Sequence, residues 1–183
     1  MSMRNFIGLA AACAALSFAM PAFAAEPSSL RCVGTELGDD FALAQVDRIA
    51  TALIGGAEEI PTVPSEPLDN AVSACAKRNG WSEDARSMSR MLTLVSILRP
   101  AIERTLRAEN VDTAKLQQIY ADLPESARRG FIDPDKMQAA SQIVAKRLSA
   151  SGINTSGKRA EHIGMYYGAL AAGEFITPAF AAA

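Results

Sequence analysis

The stretch that decides the fold is "SEDARSMSRMLTLVSILRPAIERTL", Ser82 to Leu106. Met88, Met91, Leu92, Val95, Leu98 and Ile102 recur every three or four residues, the spacing that gathers side chains on one face of an α-helix. A half-buried strand would need strict alternation of apolar and polar residues, which this stretch lacks. Ser82 suits an N-cap, and Glu83 and Asp84 fall in the first turn, where the helix dipole favours acids. Pro100 lacks the N–H that would bond the carbonyl four residues back, so a kink or a break is expected there, with Leu106 continuing the stripe.

The same period extends outward on both sides. Upstream, Asp39–Ile54 carries Leu43, Val46, Ile49, Ala50 and Leu53 on one face and ends at Gly55-Gly56. The segment "EEIPTVPSEP" then reads as an extended connector, because Pro61, Pro64 and Pro67 each remove a backbone donor. A helix over Leu68–Asn79 follows, stopped by Gly80. Downstream, Asp112 caps a helix carrying Leu116, Ile119, Tyr120 and Leu123, and Pro124 ends it or opens a short turn to Arg129. "DPDK" from Asp133 opens a further helix with Met137, Ala140, Val144 and Leu148 inward, and the last helix covers about Gly157–Ile176. The expected fold is therefore all-α: a compact domain of about six to seven helices over 39–176. An extended segment, 25–38, precedes it, and a flexible tail, 177–183, follows.

The chain opens with Arg4, an apolar run from about Phe6 to Met20, and small residues at Ala22 and Ala24. That layout is a secretory signal peptide, 1–24, with cleavage after Ala24. The run is shorter than the roughly 20 residues a membrane helix needs, so no stable span is expected in the mature chain. Cys13 does not make a lipidation site, because Leu9 stands four residues before it. The destination is the periplasm or the medium. Removing Arg4 takes the net charge from −2 to −3. A nucleic-acid partner would want a basic stripe, and an exported, mildly acidic chain argues against one.

Cleavage leaves Cys32 and Cys75, and an even count in an oxidising compartment reads as one disulfide. Leu68, Val72 and Cys75 share a helix face, which places the second sulfur inward. No C-x-x-C and no Cys–His cluster points to a metal or redox site, and neither metal nor cofactor is expected.

"GINTSGKR", Gly152 to Arg159, comes within one residue of the phosphate loop GxxxxGK[ST]. Arg159 replaces the hydroxyl that would hold magnesium, and the preceding segment is helical where a strand is required. The stretch reads better as punctuation, with Gly152 ending one helix and Thr155 or Ser156 capping the next. Lys158 and Arg159 at a helix start remain a candidate anion site. His162 is the sole histidine, so any histidine-based catalysis must use it. Paired acids, Asp39-Asp40, Glu58-Glu59 and Glu83-Asp84, are accounted for by helix starts and solvation.

"HIGMYYGALAAGEF" carries Gly164 and Gly168 as GxxxG with Ala172 extending the small row, which suits close packing in the core, with Gly164, Tyr167 and Gly168 as a candidate interface to a partner or a second copy. "AKRNGWSED" and "ARRGFIDPD" echo one another, as a duplicated helical hairpin would, though helix-capping chemistry alone predicts the likeness. No catalytic set is assembled in the sequence. The expected function is an exported binding or protein-interaction module, with an envelope protein or a second copy as partner. The alternatives are an envelope hydrolase using His162 with carboxylates, and a structural homodimer through the C-terminal helix.

Overall fold

The computed structural model describes residues 25–183, and these form eight α-helices and two 3-10 turns without a strand. The expected signal peptide and its cleavage site lie outside the described residues. The helices are α1 (Arg31–Leu37), α2 (Asp39–Ile54), α3 (Ser65–Asn79) and α4 (Glu83–Ala108), then α5 (Thr113–Ala121), α6 (Glu125–Arg129), α7 (Met137–Ala150) and α8 (Lys158–Ala182). The long α4 lies between α8 and α2, and α1 packs on α3.

Local chemistry sets the ends. Ser82 Oγ accepts from the Ala85 N–H at 3.0 Å, and Asp112 Oδ1 accepts from Ala114 and Lys115 at 2.9 and 3.2 Å. These bonds satisfy donors that have no partner inside their own helix. At the far end of α4 the chain turns through Asn110, whose φ is 58°, and the Val111 N–H reaches back to the Leu106 carbonyl at 2.8 Å. Val111 and Leu106 are both buried, which completes the apolar contact this stop motif favours.

Pro100 does not break α4, which runs through it without interruption. One lost hydrogen bond there is outweighed by the apolar side chains on both sides of it. The buried face is rotated from the expected one. Ala85, Ser89, Ile97, Ala101, Ile102, Thr105 and Leu106 are buried, whereas Met91 is 47% exposed and Leu92, Val95 and Leu98 are half-buried. Small side chains let α4 sit close to its neighbours, and the larger ones are left at the flanks. Leu43 and Met137, expected inward, are likewise exposed, while their stripe partners Ile49, Leu53, Val144 and Leu148 are buried.

Expected boundaries change at both ends of the described chain, and α3 begins at Ser65, three residues before the expected Leu68. The segment 25–38 is not extended: a 3-10 turn, Pro27–Leu30, leads into α1, whose Val33 is fully buried. Seven residues are too few to hold a helix alone in water. The Cys32–Cys75 disulfide, as expected from the sequence, ties α1 to α3, where Leu68, Ala71 and Val72 bury Val33. Nor is the tail 177–183 loose. α8 continues through Pro178 because Phe180 is completely buried against Ala25 and Ala85 and meets the Trp81 ring edge-on at 5.3 Å. Burying a phenyl ring gains about 1.5–3 kcal/mol, comparable with the roughly 3 kcal/mol cost of an internal proline.

The two echoing turns differ. Gly80 is left-handed at φ 66° and stops α3, whereas Gly130 sits at φ −61° in the 3-10 turn Gly130–Ile132. Gly130 is there for closeness: a Cβ would lie 2.9 Å from that of Ala140. The two glycines therefore serve different ends, one as a helix stop and one for close packing. "DPDK" forms a turn, with the Met137 N–H on the Asp133 carbonyl at 2.9 Å, so α7 begins at Met137.

Candidate functional site

The half-buried flank of α4 opens onto two cavities. The larger is a groove of about 650 Å³ between the start of α1, α4 and α8. Leu92, Val95, Pro100 and Ala169 give it an apolar wall, and Arg31, Arg99 and Glu103 supply charge. Its volume lies within the roughly 300–1,000 Å³ of ordinary ligand sites. Gly34 and Gly173 also line it, and a Cβ on either would touch nothing within 4 Å. The second cavity, about 230 Å³, is bounded by Ile49 and Leu53 of α2, Leu98 and Ile102 of α4, and Met165 of α8. Ile60, from the connector after α2, also lines this chamber and is 39% exposed. Val95 and Ala169 border both cavities.

The connector over the chamber is fastened at each side of Ile60. Lys158 Nζ donates to the Gly56 carbonyl, and Arg48 donates to the Thr62 carbonyl at 2.6 Å. Both cations of the expected anion site have partners within the fold. Lys158 is engaged with carbonyls at the end of α2, and Arg159 donates to the Glu109 carbonyl at 3.2 Å. Carbonyls at a helix C-terminus carry partial negative charge, so both cations are held by the fold itself. Neither Thr155 nor Ser156 caps α8; Gly157, at φ 58°, occupies the N-cap position without a side-chain bond.

His162 lies in the first turns of α8, 4% exposed, with Nδ1 2.8 Å from Glu109 Oε1. Glu109 Oε2 and Arg159 Nε stand 3.9 Å apart, buried and without hydrogen-bond partners. This cluster joins the end of α4 to the start of α8. His162 lines neither the groove nor the chamber. A histidine placed this way has the geometry of a fastening; a general base would need to reach a substrate.

The candidate interface residues separate. Tyr167 is completely buried, its hydroxyl donating to the Leu116 carbonyl at 3.1 Å, and burial pushes the phenol well above its ordinary range. Gly168 lines the chamber, and Gly164 lines a third, apolar cavity of about 180 Å³ between α7 and α8. The tyrosine belongs to the core. The glycines thin the walls of cavities inside one chain.

A polar cluster that single-residue reading missed closes the other end of α8. Arg128 Nε bonds both oxygens of Glu174 at 3.1 Å, and Tyr120 Oη donates to Glu174 at 2.7 Å. Arg128 also donates to the Leu123 carbonyl at 2.6 Å. Burial raises the Glu174 carboxyl pKa, but hydrogen bonds from Arg128 and Tyr120 outweigh it and hold the pKa below the ordinary 4.5. Charge on a helix that is otherwise mostly apolar was the sequence signal. Cys32, Glu36 and Cys75 come together as well, but the two sulfurs are bonded to each other and leave no thiolate for a metal.

Compared with protein-family models, curated proteins and solved structures, the chain matches none.

Proposed function

We propose that the chain is an exported, non-enzymatic binding module. The observation that supports this most is the placement of His162, fastened to Glu109 away from the groove, while the groove and chamber present apolar walls to an occupant. Apolar concavities with a few converging polar groups are the ordinary form of a ligand site. Export would also suit the disulfide, since envelope compartments keep such bonds oxidised.

The test is to purify the protein from the envelope fraction, with and without mild crosslinking, and to identify what accompanies it. A stoichiometric ligand or protein is expected. A hydrolytic activity that is abolished by His162→Gln while the fold is retained would overturn the reading in favour of the enzyme.

A further inference from the structure

Resting on that binding role, we propose that the groove and chamber together form one site for a single-chain amphiphile with a single negative charge, a fatty-acid-like molecule. The chamber takes the chain and the groove takes the head. The division follows from what lines each. Chamber walls are the side chains of Ile49, Leu53, Leu98, Ile102 and Met165, with Ile60 over them. The groove alone brings formal charge. Val95 and Ala169 border both spaces, and an amphiphile occupying both would lie across them.

Charge fixes the kind of head. Arg99 is paired with Glu103 at 2.9 Å, which cancels one cation. Arg31 is exposed and has no ion pair among the described residues, so the groove carries one net positive charge to offer an anion. Pro100, also in the lining, has no N–H to give the Ser96 carbonyl, which weakens the backbone bonding of the wall at that point. Val95 and Leu98, which have helical spacing but are left half-buried, are apolar surface that such a chain would cover in the chamber.

Gly173 gives the sharpest test, because it lines the groove and a Cβ there would meet no atom within 4 Å, so a larger side chain starts from open space. Leucine also favours helix over glycine, so Gly173→Leu should melt no lower than the parent. Isothermal titration of the full protein with dodecanoate and, separately, with dodecanol reads the site. One dodecanoate per chain is expected, with Gly173→Leu weakening it by about tenfold or more, a loss of roughly 1.4 kcal/mol. Arg31→Gln should weaken dodecanoate several-fold and leave dodecanol unchanged.

Absence of dodecanoate binding to the parent protein, or binding indifferent to both substitutions, overturns the proposal. A protein partner captured equally by parent and Gly173→Leu, with no dodecanoate bound, would sink this site and leave the broader binding role standing. Hydrolysis dependent on His162 would instead bring down the broader role.

Discussion

His162 and Glu174 are each held by an oppositely charged or polar partner on another segment, and each fastens one end of α8. His162→Leu keeps most of the volume but leaves the partly buried Glu109 carboxylate without its ring nitrogen. A charged acceptor left unsatisfied costs about 1–3 kcal/mol, so thermal unfolding should move down by roughly 2–4 °C per kcal/mol. Dodecanoate affinity should not change, and a loss of affinity equal to the loss caused by Gly173→Leu would contradict the structural role. Glu174→Gln removes the charge that Arg128 grips, with an expected cost of about 1–2 kcal/mol after allowing for its partial exposure. Because the folded carboxyl titrates below the unfolded one, its contribution is complete above about pH 4.5 and is lost as pH falls through the lower, folded value. The stability difference between parent and Glu174→Gln should therefore be constant near neutral pH and close in acid. Denaturant melts at neutral pH and below about pH 4 measure it, and a gap that widens in acid would refute the assignment.

α1 and the last turns of α8 are held in place by contacts far away in sequence, chiefly the disulfide with buried Val33 for α1 and buried Phe180 for α8. A disulfide spanning 43 residues is worth about 4 kcal/mol in the chain-entropy account. Cys32→Ser is expected to lose about 2–5 kcal/mol and to release amide protection in α1 before the rest of the domain. Uniform loss of protection across all helices would show that α1 is not a separable unit. Phe180→Ala should cost about 3–5 kcal/mol. Trp81 is the only tryptophan and packs directly on that ring, so its emission should shift to the red in the variant. An unchanged spectrum would mean the last turn of α8 is not docked as described. These two elements were also among those that sequence reading misjudged. Helical period identified the long helices because their apolar spacing is dense and their caps, Ser82 and Asp112, are chemically plain. It missed α1, which has too few residues to show a period, and it ended α8 early because Pro178 is a local stop signal. Burial of Phe180 is a long-range fact that overrides it.

Over the molecule as a whole, the fold class and the disulfide were legible because both follow from composition and local spacing. The candidate site was legible only in pieces. The stripe on α4 was visible, yet nothing local says that its smaller residues, Ala85, Ala101 and Thr105, take the close contacts and leave Leu92, Val95 and Leu98 at an opening. Gly164 and Gly168 were visible as a small-residue row, but a row of that kind does not specify whether it meets another helix or a void. Which void it meets depends on α2 and α7, far away in sequence.

Ala25 and Ala183 pack on the same small cluster as Phe180 and Trp81, so the described chain nearly closes on itself. In a protein shortened to residues 25–183, joining Ala25 to Ala183 by a short flexible peptide and opening the chain in the exposed stretch between Ala57 and Ile60 should yield a permuted protein with the same fold, and that cut would free the backbone above the chamber.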